Sequence, residues 1–444
     1  MKNAFALYVF LVFCGYTNSQ NQSFQRELQL LQSGPMVGYS DYKEVALWVQ
    51  TKGSHSVKFR YYKSENIKEA HWTKSVITSQ TNAFIAKLIA DSLEAGKHYN
   101  YEVYLDGKKI ELNRTLTFQT QTLWQWRTDP PNFKFATGSC VYVNDSLSDR
   151  PGKPYGGGYE IFESIANENP DFMVWTGDNT YYREVDWNTK SGMYYRNTHT
   201  RSLPEMQELL GKTHNYAIWD DHDFGPNNSD RSFWNKELSK EVFSNFWANP
   251  SYGIEGVPGI TTYFQWSDCD FFLLDNRYNR SVNDRKTGER TILGKEQLSW
   301  LKDALVASQA PYKFVVLGGQ FLTNCECYET YTNYGFERER QEIIDYIYAE
   351  KVNGVVFLNG DRHHTEFSKL VSENNPTIYD LTVSPLTSGS HASNEEKNDF
   401  RIEGTLVGER NYAIIEVTGK RKERQLKITV KGSDGKNLWS KVIK

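Results

Sequence analysis

The sequence predicts a small antiparallel β-sandwich followed by a larger α/β domain. Between about residues 27 and 121, short runs alternate apolar and polar side chains and are separated by turn residues, which is typical of a sandwich. After Pro130-Pro131, apolar strand-like runs alternate with helical patterns, which indicates βαβ units. The chain has 444 residues, too many for one ordinary core. We therefore predict a signal peptide at 1–19, a sandwich domain at 25–122 and a catalytic domain at 131–444.

The sandwich domain shows five runs of period-two alternation. They occupy 44–50, 56–62, 83–88, 99–105 and 116–120. Turn residues such as Asp106-Gly107 separate them, and the stretch from Leu93 to Tyr99 looks like the turn and strand of a fibronectin type III-like module. This region contains no cluster of ligand-type residues, so we interpret it as a structural or docking domain.

The larger domain shows the alternation of a mostly parallel sheet covered by helices. The predicted strands are 134–137, 172–176, 216–219, 271–274, 314–317 and 355–358. The predicted helices are 159–167, 204–210, 295–307 and 341–351. Two later runs, 412–417 and 426–430, indicate antiparallel strands at the end of the chain.

The amino terminus has the pattern of a secretory signal. Lys2 precedes an apolar run at 4–14 that is too short to span a bilayer, and cleavage is expected near Gln20. A secreted or periplasmic protein follows from this pattern. Lipoprotein anchoring through Cys14 is the alternative, although Phe13 is bulkier than a lipobox normally accepts. No other stretch predicts a transmembrane segment.

Charge and cysteine content exclude two further classes of protein. The net charge is -4 without a long basic run, so binding to duplex nucleic acid is not expected. Removal of the signal leaves Cys140, Cys269, Cys325 and Cys327, too few for a disulfide-dense scaffold. Cys325 and Cys327 could pair, but a bridge across one intervening residue is strained, so we interpret them as two thiols in a loop.

Polar side chains follow each predicted buried strand of the larger domain. The segments are Gly138-Ser139-Cys140, Gly177-Asp178, Asp220-Asp221-His222-Asp223, Asp275-Asn276-Arg277, Gly318-Gly319-Gln320 and Asn359 to His364. Ligands of α/β sheets bind at the carboxyl ends of strands, so these groups are expected to converge on a metal cluster. Each segment alone also fits a turn or a solvated acidic loop; together they favour a metal site.

These segments resemble the calcineurin-like metallophosphoesterase superfamily, and within it the PhoD-like alkaline phosphatases. Gly177-Asp178 matches the bridging aspartate, and Asp221-His222-Asp223 occupies the place of the Asn-His-Asp/Glu motif. Gly360-Asp361-Arg362-His363 stands where the superfamily has Gly-His-x-His. Cys140 replaces the first Asp-x-His motif, as in the PhoD-like branch, and Tyr181 fits that branch as well. The resemblance implies a metallophosphoesterase β-sandwich flanked by helices.

The resemblance also implies a mixed cluster of Fe3+ and Ca2+. Cys140 and Tyr181 are anionic donors that favour trivalent iron, and the carboxylates suit calcium. The implied metal ligands are Cys140, Asp178, Tyr181, Asp221, Asp361 and His363. Asn227 or Asn228 is a further candidate, and a metal role for Gln320 is not expected.

The implied reaction is hydrolysis of small phosphate mono- or diesters by a metal-activated hydroxide. His222 is the candidate that protonates the leaving oxygen or orients the substrate. Arg277 and Arg280 are candidates for hydrogen bonding to phosphate oxygens, and structural salt bridges are the alternative. The same two roles are open for Arg362. Two other functions stay open: a phospholipase or nucleotide phosphodiesterase on this scaffold, and a calcium-stabilised extracellular binding protein. The sequence leaves the oligomeric state undetermined.

Overall fold

The computed structural model describes residues 30–391 and 396–443. The predicted signal peptide and Cys14 lie outside these residues. None of the helices in the described ranges has the length and apolar character of a membrane span. The first nine strands are β1 (Leu31–Ser40), β2 (Val45–Thr51), β3 (Ser56–Lys63), β4 (Ala70–Trp72), β5 (Val76–Ile77), β6 (Ile85–Ala90), β7 (His98–Leu105), β8 (Lys108–Lys109) and β9 (Thr117–Gln119).

Strands and helices alternate through most of the remaining chain. The strands are β10 (Phe133–Gly138), β11 (Phe172–Thr176), β12 (His214–Ile218), β13 (Thr262–Trp266), β14 (Cys269–Leu273), β15 (Lys313–Val316), β16 (Val355–Asn359), β17 (Glu366–Leu370), β18 (Ile378–Thr382), β19 (Asn411–Thr418), β20 (Gln425–Gly432) and β21 (Asn437–Ile443). The α-helices are α1 (Ile161–Asn167), α2 (Lys190–Arg201), α3 (Gln207–Lys212), α4 (Asp221–Phe224), α5 (Lys236–Phe246), α6 (Lys295–Ala307) and α7 (Glu337–Ala349). Short 3-10 helices occupy Gln80–Asn82 and Pro204–Met206.

Two mixed sheets pack face to face and form the centre of the molecule. One has the order β21-β20-β19-β10-β11-β12-β1-β2-β6, and the other has the order β13-β14-β15-β16-β18-β17. Aromatic rings fill the space between them. Phe135 lies 5.4 Å from Phe271 and 5.2 Å from Phe314 between ring centroids. The predicted parallel strands are therefore divided between two sheets, and the outer faces of these sheets carry the helices.

The amino-terminal strands form a second, smaller sandwich. Its outer layer is the sheet β4-β3-β7-β8, to which β5 and β9 are joined. Its inner layer is β1-β2-β6, and β1 also pairs in parallel with β12 at Val37 and His214. One layer of the small sandwich is thus an extension of the large sheet, because β1 has hydrogen-bonding partners on both edges.

The structure corrects the interpretation of two cysteines. Cys325 and Cys327 form a disulfide, with Cα atoms 5.1 Å apart, so the interpretation as two free thiols was wrong. That separation lies within the range that a disulfide can bridge. Cys140 and Cys269 are free and buried.

Candidate metal centre

The ends of β10, β11 and β12 bring the predicted site together at one edge of the large sheet. The parallel register pairs Gly138 with Trp175 and Thr176 with Ile218, so the three strands end almost level. The loops that follow begin side by side, about 4.8 Å apart. They deliver Cys140, Asp178 and Asp221 to a common space. Strand β16 of the other sheet ends close by and supplies Asp361 and His363.

Cys140, Asp178, Tyr181 and His363 form one side of this space. The Cys140 thiol lies 3.6 Å from Oδ2 of Asp178, and the Tyr181 hydroxyl donates to the same oxygen at 3.1 Å. The Tyr181 hydroxyl is also 3.2 Å from Nε2 of His363. Possible ligand atoms of Cys140, Asp178 and His363 all lie within 4.8 Å of one another, which is a suitable spacing for one shared cation.

Two further groups of possible ligands continue from this one. Asp178, Asp221 and His222 form the second group, and Asp220, Asp221 and Asp361 form the third. Asp178 belongs to the first two groups and Asp221 to the last two, so the three groups form a continuous row. A row of this kind has room for more than one cation. The structure therefore brings together all six predicted ligands, along with His222.

The backbone is strained at four of these positions. Cys140, Asp178, Asp361 and His363 have φ angles of 63°, 54°, 64° and 54°. This left-handed region costs a non-glycine residue roughly 1–2 kcal/mol and is uncommon for cysteine, although aspartate and histidine adopt it more often. Such conformations persist where surrounding structure imposes them, and they cluster at functional sites. Gly177, with φ 96°, lets β11 turn at this point, because a Cβ there would lie 2.7 Å from that of Asp220.

Burial of so many acidic groups makes the site electrostatically unfavourable without cations. Burial raises the pKa of Asp178 well above its usual value, and the charges of Asp221 and Cys140 raise it further. Burial, followed by repulsion from Asp220 and Asp221, raises the pKa of Asp361 to about 7. Burial also raises the pKa of the Cys140 thiol to about 12. Nearby positive charge would reverse these shifts, because it favours the ionised forms.

Two buried carboxylate oxygen atoms of the site have no hydrogen-bond partner in the described part of the chain. Oδ2 of Asp220 and Oδ1 of Asp221 make no hydrogen bond to any of the described residues. Unsatisfied buried carboxylate oxygens are costly, and a cation would satisfy both. The donor set also suits metals of two kinds, because hard carboxylate oxygens lie at one end of the row and thiol, phenol and imidazole groups at the other.

Arg277 lies behind the carboxylates. It is fully buried; its Nε donates to Asp220, its Nη1 lies 2.5 Å from Glu329, and its Nη2 lies 3.6 Å from Asp221. Arg280 is buried as well and lies 3.3 Å from Glu329. These guanidinium groups are already engaged by carboxylates, so the geometry favours the salt-bridge alternative over direct contact with phosphate.

The other sequence candidates also have protein partners. Arg362 is bound to Glu396 at 2.6 Å and to Gln320 at 2.9 Å. Gln320 donates to Glu366 at 2.6 Å. The backbone N–H of Asn228 donates to Oδ2 of Asp221 at 2.7 Å and so fixes that carboxylate. The neighbouring Asn227 is exposed and lines a cavity beside the site.

Two residues of the site are absent from the ligands that the resemblance implies. Asp220 lies two residues after β12, in the Asp220-Asp221-His222-Asp223 segment that the sequence already indicated as part of the site. Tyr155 lies in a Gly- and Pro-rich loop, and its hydroxyl is 2.9 Å from Nδ1 of His363. Nothing in the local sequence indicates this contact, because 208 residues separate the two partners.

Family comparisons support the resemblance seen in the motifs. Residues 258–429 match the model of the PhoD-like phosphatase family, and residues 28–123 match a domain of unknown function, DUF7800. Alkaline phosphatase D of Bacillus subtilis (strain 168) is 24% identical, in an alignment that covers 78% of this chain and 65% of the relative. The chain thus spans slightly less than two thirds of the length of this curated relative. The predicted resemblance to PhoD-like phosphatases is confirmed.

Solved structures confirm the predicted fold. A structure of PhoD aligns with a TM-score of 0.75 and 19% identity, covering 90% of this chain and 86% of the other. Purple acid phosphatase PPD1 from yellow lupin (Lupinus luteus) seeds aligns with a TM-score of 0.67 and 10% identity, covering 93% and 75%. The two-sheet sandwich with outer helices is therefore the metallophosphoesterase fold.

Proposed function

We propose that this relative of the PhoD-like phosphatases is a metal-dependent phosphoesterase that hydrolyses phosphate mono- or diesters. The observation that carries the proposal is the row of possible ligands, in which one buried carboxylate oxygen of Asp220 and one of Asp221 make no hydrogen bond to the described residues. The row lies at the carboxyl ends of parallel strands, where ligands of α/β sheets bind. The family match and the shared fold support the same conclusion.

The proposed ligands are Cys140, Asp178, Tyr181, Asp221, Asp361 and His363. Asp178 is assigned the bridging position, because it is shared by two of the ligand groups. Fe3+ at the end with Cys140 and Tyr181, and Ca2+ at the carboxylate end, are the proposed ions, in accord with the donor types. When bound, such cations act as Lewis acids that lower the pKa of water and neutralise phosphate charge.

His222 is proposed as the residue that handles the proton of the leaving group. It is partly exposed, its ring lies 4.2 Å from that of Tyr181, and its Nε2 lies 3.9 Å from Asp221. Burial lowers the pKa of His222, and the charge of Asp221 acts in the opposite direction by favouring the protonated imidazole that a proton donor needs. Its backbone N–H also donates to Asp178 at 3.2 Å, which fixes both residues relative to each other.

Arg277 is assigned a positioning role in this proposal. It offsets the charge of Asp220, Asp221 and Glu329 from the interior side of the centre. The proposal also includes secretion through residues 1–19 and the division into domains at 25–122 and 131–444. Small phosphate esters are the proposed substrates.

Elemental analysis of the chain purified without chelators tests the metal assignment. We expect iron together with calcium, and the finding of zinc alone or of no metal would contradict the assignment. Removal of the metals with a chelator distinguishes the two functions. A metal-dependent enzyme is expected to lose activity and stay folded, whereas a calcium-stabilised binding protein is expected to unfold.

Substitution of Asp178 tests the proposed site. Asp178→Asn is expected to abolish hydrolysis of a chromogenic phosphate ester, because the amide lacks the charge that a bridging ligand needs. Asp171→Asn is the matched control, since Asp171 precedes the same strand β11 at its opposite end and accepts the backbone N–H of Lys134 at 2.9 Å. Normal activity of Asp178→Asn would remove the bridging role.

A further inference from the structure

A large cavity opens directly beside the proposed metal centre. Its volume is about 610 Å³, and its lining includes Tyr181 and His222. An ester whose phosphate is held at the centre, with its leaving oxygen near His222, would place its organic group in this cavity. Sites for small molecules have volumes of roughly 300–1,000 Å³. The cavity is therefore much larger than a short alcohol such as glycerol needs.

Aromatic rings form a continuous wall of the cavity. The centroid distances are 5.0 Å from Tyr155 to Tyr142, 5.2 Å from Tyr142 to Tyr181 and 4.2 Å from Tyr181 to His222. The Tyr142 hydroxyl donates to Asp149 at 2.8 Å, and the Tyr155 hydroxyl contacts His363. Because these hydroxyl groups already have partners and Tyr155 is 44% exposed, the ring of Tyr155 is the surface that remains for an aromatic ligand.

The rest of the lining is polar enough to disfavour a lipid chain. Trp187 lines the cavity together with the charged residues Asp149, Arg183 and Lys153. Arg183 lies 2.7 Å from Asp149 and 3.9 Å from the ring centroid of Tyr142. Arg150, Lys153 and Glu184 also line the cavity and are exposed, so an acyl chain placed against their charges would remove water from them without replacing its hydrogen bonds. A flat ring that also carries polar atoms avoids this cost.

Resting on the proposed function, we infer that this cavity selects phosphate esters of alcohols that carry a flat aromatic ring, nucleosides in particular. Trp187 and Tyr155 are then specificity-determining residues. Stacking of a base on an aromatic side chain is sequence-tolerant, since every base has a π face. The cavity accordingly distinguishes nucleoside esters from other esters without distinguishing strongly among the bases.

Three esters of primary alcohols test this inference in the full chain. They are thymidine 5′-phosphate, glucose 6-phosphate and glycerol 3-phosphate, each used as the monoester and as its methyl diester. The leaving alcohols are similar in acidity, so differences in kcat/KM report contacts of the organic group. We expect the thymidine ester to exceed the glycerol ester by roughly tenfold or more, a typical effect of one stacked base.

Variants connect this preference to the cavity. Trp187→Ala is expected to reduce the thymidine-to-glycerol ratio several-fold, whatever happens to the absolute rates. Trp187→Leu keeps an apolar side chain and serves if the alanine variant does not fold. Trp126→Ala is the matched control, because Trp126 is 93% exposed and is not part of the cavity lining; its ratio is expected to equal that of the unmodified chain.

The possible failures are distinguishable. Hydrolysis of all esters at equal kcat/KM would overturn the inference and leave the proposed function intact. If kcat/KM for glucose 6-phosphate equals that for thymidine 5′-phosphate, any ring suffices, which contradicts selection of an aromatic ring. An unchanged ratio in both Trp187 variants would remove the cavity as its source. Failure to hydrolyse any of the esters would overturn the proposed function, and the inference with it.

Discussion

Replacement of Arg277 separates a positioning role from direct contact with phosphate. The side chain is fully buried and is engaged by Asp220, Asp221 and Glu329, all of which are buried too. With Arg280, these five residues carry three negative and two positive charges, a formal net charge of -1. Arg277→Met changes this to three negative and one positive, or -2, in an interior that cannot hydrate the additional charge.

The expected loss follows from this imbalance. Removing one partner of a buried ion pair destabilises a protein by about 3–5 kcal/mol. Arg280 still offsets Glu329, so the uncompensated charge falls on Asp220. We expect Arg277→Met to lower the free energy of unfolding by about 3–5 kcal/mol. Arg277→Lys is expected to lower the free energy of unfolding by less, because lysine keeps the positive charge. Some loss remains, because the single nitrogen of lysine cannot reach both Asp220 and Glu329.

Urea unfolding of the metal-free protein measures this loss, because bound cations would offset part of the same negative charge. Arg150→Met is the matched control, because Arg150 is exposed and lies 3.9 Å from an exposed Glu184; the expected change is within about 1 kcal/mol. Steady-state kinetics on the same variants complete the test. A normal unfolding midpoint for Arg277→Met, combined with a raised KM, would refute the reasoning and favour direct contact with phosphate.

Three further predictions concern the metal centre. Cys140→Ala is expected to lower the iron content selectively, as measured by elemental analysis; an unchanged iron-to-protein ratio would exclude the thiol as a ligand. Tyr155→Phe removes the 2.9 Å contact with Nδ1 of His363 and is expected to weaken metal retention by roughly tenfold in chelator competition, whereas equal retention would show that the contact does not orient the imidazole. In metal-free protein, the pKa of Asp361 is raised to about 7 by burial and then by Asp220 and Asp221, above an unfolded value of about 3.9. Folding favours the protonated carboxyl of Asp361. The contribution of Asp361 to the free energy of unfolding is therefore complete below about pH 4 and is lost as the pH rises through 7. Melting temperatures of metal-free protein should therefore fall between pH 5 and 8, and a constant or rising value would contradict the shift.

Elements with regular apolar patterns were predictable from the sequence. Helix α6 has the predicted bounds of 295–307, and strand β11 has the predicted bounds of 172–176. Helix α2 was missed because it buries polar residues, among them Arg196, which is paired with Asp145 and Asp186. Strand β1 was missed because it contains glycine and proline, and its pairing with β2 and β12 is a tertiary property.

The proposed site was predictable to the extent that its groups follow strands. Cys140, Asp178 and Asp221 lie two or three residues after the ends of buried strands, and parallel strands of one sheet end at one edge. Two features gave no such signal. Tyr155 contacts His363 from a loop, and Glu329 contacts Arg277 from another loop. The local sequence therefore does not predict either contact.

The sequence by itself determined the alternation of strands and helices and the chemical types of the proposed ligands, because periodicity and strand-end residues are local properties of the chain. Only the tertiary structure decided that the strands divide between two sheets, that β1 joins the small sandwich to the large one, and that Arg277 faces carboxylates. Those features depend on contacts between residues far apart in the chain. Their energies come from burial and charge pairing, which exist only once the interior has closed.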